Sequence, residues 1–182
     1  MAEELKCFFF SEFDPVAGPK ISCQVPGSFP MQESFEAVHD LIITKPNLYN
    51  RLISVDISGY RIVGSPRCID DKKYARNAFI FNFVFVFTSS TCTTAYEPII
   101  TKVGDTFRTC ELESSFLSDN THRGKLEAIM TQVFEKLNSH GLCTVNVDDT
   151  NCLYLKTITL TPTTSSCPRP SCAYIHLLQG GH

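Results

Sequence analysis

Alternating apolar and polar residues near the start of the chain predict an opening β-hairpin. The apolar run over residues 5–13 is followed by turn-forming residues, Asp14-Pro15 and Gly18-Pro19. Residues 20–25 then alternate strictly, as expected for a strand with one buried face. We therefore expect the chain to begin with two antiparallel strands.

A helix and a second hairpin follow. The next apolar residues recur at helical spacing: Phe35, Val38 and Ile42. Pro46 ends this helix, because a proline inside a helix removes a hydrogen bond and clashes with the preceding turn. Residues 53–57 alternate, turn at Ser58-Gly59 and continue into residues 60–63, which predicts a second antiparallel pair.

The most aromatic and β-branched run of the chain, residues 78–87, predicts a central strand buried on both faces. The connection leading to it runs from Gly64 to about Ala75, which is longer than a typical hairpin loop, and long loops often carry function. Arg76 lies two positions before this strand, at the end of a charged stretch. We therefore expect Arg76 to lie at the mouth of a rigid element and to face solvent or a partner.

Two long helices and a late hairpin complete the pattern. One face of the first helix carries Ile99, Val103, Phe107, Cys110, Ser114 and Leu117. The stripe of the second helix is Leu126, Ile129, Met130, Val133, Phe134 and Leu137, with Gly141 as its stop. Residues 143–147 and 152–158 predict two short strands around a turn at 148–151, and the composition turns to Thr, Ser and Pro from residue 159.

The order β-β-α-β-β-β-α-α predicts an α+β fold, namely a five-stranded antiparallel sheet with helices packed on it, plus a C-terminal β-hairpin. We expect the main domain to span residues 1–141 and a hairpin extension to span residues 142–158. Residues 159–182 are expected to form a poorly ordered tail.

Composition narrows the classes of function. The 182 residues carry a net charge of −3 and a pI near 5.9, which gives no electrostatic footprint for nucleic acid or acidic lipid. Nine scattered cysteines without a secretory signal are typical of small core residues in a reducing compartment. The apolar run at 78–87 is far too short to span a membrane. We expect a soluble cytoplasmic protein without direct membrane insertion.

The residues offer no active site of their own. Neither a phosphate-binding glycine loop nor a nucleophile elbow is present, and the histidines His39, His122 and His140 are isolated in the sequence. Four residues near the end have ligand chemistry for zinc: Cys167, Cys172, His176 and His182. Prolines inside the first spacing argue against the hairpin or helix of a zinc finger, so we expect neither a metal nor another cofactor.

Residue spacing alone leaves two interpretations of the basic residues Lys72, Lys73 and Arg76. Runs of charge usually form solvated loop tips, and the neighbouring Asp70 and Asp71 cancel much of the positive field. The alternative is that Arg76 lends a cation to the chemistry of a partner. The ordinary loop tip is favoured on spacing alone.

Five blocks of sequence, in order, resemble the nitrogen permease regulator 2-like family over about the first 156 residues. The blocks are Phe9-Phe10-Ser11-Glu12-Phe13-Asp14-Pro15 with Gly18-Pro19-Lys20-Ile21, Ile42-Ile43-Thr44-Lys45-Pro46, Lys72-Lys73-Tyr74-Ala75-Arg76-Asn77, Glu111-Leu112-Glu113-Ser114-Ser115-Phe116, and Gly141-Leu142-Cys143-Thr144. The resemblance implies a longin domain, whose element order is the one predicted above. The end of the resemblance leads us to expect a chain that is truncated at its C-terminus relative to the family.

The resemblance also implies a function. It points to a subunit of the GATOR complex that activates GTP hydrolysis by Rag GTPases and so restrains the TOR kinase complex at the lysosome when amino acids are scarce. The implied partners are the nitrogen permease regulator 3-like paralogue, through a longin–longin heterodimer, and a DEP-domain-containing GATOR subunit. In this interpretation Arg76 is the arginine finger, and the loop residues that support it are Lys72, Lys73, Tyr74 and Asn77.

An alternative of a different class stays open. The same longin fold could serve as a non-catalytic scaffold that heterodimerises with the 3-like paralogue or with other trafficking and signalling partners. An exposed Arg76 without a carboxylate partner would favour the finger, and an Arg76 in an internal ion pair would favour the scaffold.

Overall fold

A computed structural model describes residues 5–140, 143–147, 158–162 and 173–175. The strands are β1 (Leu5–Asp14), β2 (Gly18–Val25), β3 (Ile53–Ile57), β4 (Tyr60–Gly64), β5 (Arg67–Asp70), β6 (Ala78–Thr88), β7 (Cys143–Val147), β8 (Ile158–Pro162) and β9 (Ala173–Ile175). The α-helices are α1 (Gln32–His39), α2 (Glu97–Ser114) and α3 (Arg123–His140). A π-helical turn over Asp40–Thr44 directly follows α1.

One large sheet organises the molecule, in the order β2-β1-β6-β4-β3-β9, with β5 also paired to β6. All of its pairings are antiparallel except that of β3 with β9. This arrangement confirms the predicted α+β class and is consistent with the longin-like fold. It differs from the predicted five strands by β5 and β9.

The two faces of the sheet carry separate apolar layers. On β6 the phenylalanines at alternate positions all face α2 and α3: Phe79, Phe81, Phe83, Phe85 and Phe87. Val84 and Val86 face the opposite side, where they pack with Phe35 and Val38 of α1. Because side chains alternate along a strand, one continuous apolar run serves both layers. β6 is therefore the buried central strand that its sequence predicts.

The prediction of a long loop from Gly64 to about Ala75 is wrong, because this segment contains strand β5. Gly64 pairs with Val84 and Arg67 pairs with Phe81, so two residues on each side, 65–66 and 82–83, lie between the two pairs. β4 and β5 therefore follow the same register along β6, and they are interrupted at Pro66, which has no N–H to donate. The remaining loop comprises only residues 71–77.

A buried arginine attaches β5 to helix α2. The side chain of Arg67 is inward, and the residue is 2% exposed. Its guanidinium lies 3.0 Å from Asp105 Oδ1 and donates to the Thr101 carbonyl oxygen, and it also bonds Ser65. Gly104 makes room for it, since a Cβ at this position would lie 3.2 Å from Arg67 Nη2. The inward arginine explains why the apolar pattern did not indicate a strand here.

The C-terminal part is described only in short segments. β7 pairs antiparallel with β8, whereas the predicted second strand at 152–158 lies outside the described residues apart from Ile158. β9 and, apart from Ile158, β8 lie within the segment expected to be a tail, and the division of the chain at 141 and 158 stays a prediction. Within the described residues, no helix is long and apolar enough to cross a membrane.

Replacing Gly104 with alanine is expected to lower the free energy of unfolding by about 1 kcal/mol, because the new Cβ crowds an arginine that hydrogen bonds hold in place. The matched control is Gly124→Ala in α3, where a Cβ meets nothing within 4 Å. That change should stabilise the protein by about 0.5–1 kcal/mol through helix propensity. Urea denaturation of both variants checks the difference, and equal stabilisation by both would contradict it.

Candidate functional site

The loop at residues 71–77, which we call the β5–β6 loop, closes the hairpin at the mouth of β6. The Asp71 N–H donates to the Asn77 carbonyl at 2.9 Å, and the Asn77 N–H donates to the Tyr74 carbonyl at 2.9 Å. The side chain of Asp71 accepts the Lys73 N–H at 2.9 Å. Asn77 adopts φ 56°, a left-handed conformation that asparagine tolerates better than most residues. Its own hydrogen bonds thus give the loop a defined shape.

Tyr74 anchors the loop to the body of the protein. Its hydroxyl donates to Glu111 Oε1 at 2.6 Å, and its ring stacks on Phe79 with centroids 5.3 Å apart. Burial raises the pKa of Tyr74 well above its usual value, and the hydrogen bond to Glu111 adds to the shift. The tyrosine therefore stays neutral and keeps its hydroxyl proton, which it donates to the Glu111 carboxylate.

Glu111 is a fully buried carboxylate at the end of α2. Its Oε2 accepts the Leu117 N–H at 2.7 Å and the Ser118 N–H at 3.0 Å, while Oε1 accepts the Ser118 hydroxyl as well as that of Tyr74. Four donors thus satisfy a charge that burial would otherwise destabilise. The same carboxylate therefore holds two segments in place: the chain that follows α2, and the β5–β6 loop.

Glu111 belongs to the fourth family block, and the sequence pattern predicts no role for it. It lies four residues after Phe107, so it falls on the apolar stripe of α2. A carboxylate on an otherwise buried helical face is the sequence signal that could have identified it.

The predicted support residues do not act alike. Lys73 Nζ donates to Ser115 Oγ at 3.1 Å and lies 4.9 Å from the centroid of the Tyr74 ring, so it joins the same anchor. Lys72 is an exposed residue of the loop. The structure therefore brings Lys73 and Tyr74 together at the end of α2, whereas Asn77 shapes the backbone.

Arg76 is exposed and lies against an aromatic ring. Its guanidinium carbon is 4.8 Å from the centroid of Phe13, and among residues 5–140 it forms no ion pair. A cation over an aromatic face at an exposed site is worth about 0.5–1 kcal/mol. The side chain is thus oriented by a weak contact and keeps its hydrogen-bond donors available.

A shallow groove of about 180 Å³ opens beside Arg76. Its lining residues are Phe13, Pro15, Thr44, Arg76, Ala78 and Ile80. The turn between β1 and β2 forms one rim, and Asp14 shapes that turn by accepting the Val16 and Ala17 N–H groups and the ammonium of Lys20. The contact with Lys20 contributes most to holding the pKa of Asp14 well below its usual range.

The other candidate residues form no second site in the part of the chain that is described. The ring of His122 stacks on Phe116 with centroids 5.2 Å apart, as a packing residue would. Burial raises the pKa of the Cys7 thiol to about 12, which disfavours the reactive thiolate. No cluster suited to a metal occurs among the described residues, and the tail residues Cys167, Cys172, His176 and His182 lie outside them.

Comparison with known proteins gives consistent matches. The chain is 38% identical over 156 residues to the GATOR complex protein NPRL2 of Drosophila melanogaster, which covers 85% of this chain and 38% of that protein. It is 29% identical over 166 residues to the nitrogen permease regulator 2 homolog of Schizosaccharomyces pombe, covering 87% of this chain and 41% of that protein. A 112-residue match to nitrogen permease regulator 2 of Saccharomyces cerevisiae is 40% identical, over 60% of this chain and 18% of that protein.

These coverages mean that the chain spans about two fifths of the first two relatives. The family described as nitrogen permease regulator 2 matches residues 3–175, so the similarity extends beyond the first 156 residues over which the sequence blocks indicate it. On this match, which covers nearly the whole sequence, the chain belongs to the nitrogen permease regulator 2 family.

Proposed function

We propose that this chain is a GATOR subunit that stimulates GTP hydrolysis by a Rag GTPase and that Arg76 is its arginine finger. The observation that carries the proposal is the state of Arg76, which is exposed, held on a short hairpin loop and without an ion pair among residues 5–140. A finger needs these properties, because its charge must be rigidly presented and free to pair with phosphate.

The chemistry fits a guanidinium better than an ammonium. Negative charge spreads over the phosphoryl oxygens during GTP hydrolysis, and an arginine supplied by a partner neutralises it, which accelerates hydrolysis by about 10³–10⁵-fold. The planar guanidinium can bridge two oxygens at once. Releasing Arg76 from Phe13 costs no more than about 1 kcal/mol, so the gain at the phosphate is largely retained.

The anchor at α2 supplies the necessary precision. A small displacement of a catalytic group can cost a large factor in rate, and long side chains on loose loops lose more entropy when they are fixed. Tyr74 ties the centre of the loop to a carboxylate that α2 holds, and Asn77 sets the backbone next to Arg76. We assign these two residues, together with Lys73, to positioning the finger.

In the wider proposal the chain works within a complex. Its longin-like domain pairs with the 3-like paralogue, a DEP-domain-containing subunit completes the assembly, and the complex is recruited to the lysosomal surface. Stimulated hydrolysis by Rag GTPases then inhibits TOR signalling when amino acids are low. The similarity to a GATOR complex protein of Drosophila supports the assignment to that complex.

Replacing Arg76 with alanine should lower the stimulated rate of GTP hydrolysis by about 10³-fold or more, because the transition-state charge loses its partner. The measurement is single-turnover hydrolysis by a GTP-loaded Rag GTPase with the assembled complex in excess. Lys72→Ala is the matched control, since it removes another exposed cation of the same loop, and it should leave the rate within about twofold of wild type.

Full activity of an Arg76→Ala complex that assembles normally would reject the finger and favour the scaffold. An Arg76→Lys complex should recover only a small part of the rate, because an ammonium cannot bridge two oxygens as the guanidinium does.

Replacing Tyr74 with phenylalanine should lower stimulated hydrolysis by about tenfold while Arg76 itself is retained. The ring can still stack on Phe79, but Glu111 loses one donor and the loop loses its hydrogen bond from Tyr74 to α2. Amide hydrogen exchange of residues 72–77 should become faster in this variant and stay unchanged in Arg76→Ala. A slower reaction without faster exchange would show that Tyr74 does not act through the order of the loop.

A further inference from the structure

The apolar groove beside Arg76 exists because the α1 layer stops short of the beginning of β6. The π-helical turn after α1 is fixed by Asn82, whose Nδ2 donates to the Ile42 carbonyl at 2.6 Å. Side chains before Asn82 on the same face of β6, those of Ala78 and Ile80, are only half buried. Ile80 therefore presents apolar surface that the described residues leave partly uncovered.

We propose that this groove receives an apolar side chain of the GTPase, from the part of its surface that surrounds the bound nucleotide. The proposal rests on the function proposed above and adds the docking surface that the finger requires. The occupant is thus a segment of the GTPase polypeptide, and the phosphate remains with Arg76.

The position of Arg76 identifies this occupant. Arg76 lines the groove, and its guanidinium lies on Phe13, which lines the groove as well. A nucleotide that this guanidinium contacts must lie within one side-chain length of the groove. The protein that holds the nucleotide consequently covers the groove when the finger is engaged.

The charge of the groove suits a nucleotide-bound partner. Arg76 carries the single formal charge among the lining residues, so none of them repels a phosphate. The nearest turn carboxylate, Asp14, is engaged by two backbone N–H groups and by Lys20. An apolar pocket with one cation on its edge accepts an apolar side chain beside an anion.

The rim of the groove continues the same apolar surface. Val16 follows the lining residue Pro15 in the turn and is 97% exposed. Among the described residues, Val16 and Leu112 are the large apolar side chains that are exposed. A single exposed valine is common, but this one directly follows a lining residue of the groove and so adds apolar surface that a partner on the groove can contact.

The test uses the assembled complex and a GTP-loaded Rag GTPase, and it separates docking from chemistry. Ile80→Thr and Ile80→Val form a matched pair, because threonine and valine have the same shape and differ by a hydroxyl. Ile80→Thr should raise the half-saturating concentration of the complex by about tenfold relative to Ile80→Val, with the rate at saturation retained.

Val16→Asp should raise the same concentration, whereas Val16→Ile should not, and this exposed position provides the answer if the Ile80→Thr complex does not assemble. The proposal is overturned if Ile80→Thr and Val16→Asp have the same half-saturating concentration as Ile80→Val and Val16→Ile. It is also overturned if the two polar variants lower only the rate at saturation. Arg76→Ala tests the proposed function separately, since it should lower the rate at saturation. Weaker docking in the groove variants alongside a fully active Arg76→Ala complex would support the groove and reject the finger.

Discussion

Both hydrogen-bonding edges of β6 have to be paired, and the position of every functional residue follows from that constraint. β6 has 11 residues, and β1 pairs with it from Phe81 to Phe87. On the other edge β4 covers only the second half, so β5 must cover the first. The β5–β6 loop begins where this second edge ends. Strand pairing therefore sets the position of Arg76, because the hydrogen-bonded ladder fixes where the loop begins.

A buried carboxylate of α2, that of Glu111, then ties the β5–β6 loop to the helical layer. Glu111 would destabilise the core if it stood alone, and it is tolerated because four donors surround it. Three of those donor groups belong to the segment after α2 and one belongs to Tyr74. The loop and the end of the helix consequently share one hydrogen-bond network, so neither can rearrange without disturbing the other.

The sequence predicted the elements whose side chains follow a regular period. The phenylalanines of β6 and the stripes of α2 and α3 are of this kind, and they were sufficient for the α+β class. β5 was missed because Arg67, an inward residue, has its partners 34 and 38 residues away, at Thr101 and Asp105. Contacts between residues far apart in the sequence also limited the prediction of the site. The family motif indicated Arg76 but not its surroundings. Its contact with Phe13 and the anchoring of Tyr74 at Glu111 depend on tertiary structure.

The unbroken register from β4 to β5 has a consequence for how this family can vary in length. Because side chains alternate along a strand, inserting or deleting one residue at Ser65-Pro66 would turn every side chain of β5 to the opposite face. Arg67 would then point away from Asp105, and the β5–β6 loop would start from a strand whose side chains had changed faces. A surface turn such as Asp14–Gly18 is not restricted in this way, because it does not join two strands that pair in one register with the same neighbouring strand. Length changes within this family should thus accumulate at turns and be absent from Ser65-Pro66, the two-residue junction that sets the faces of β5 and the start of the loop that carries Arg76.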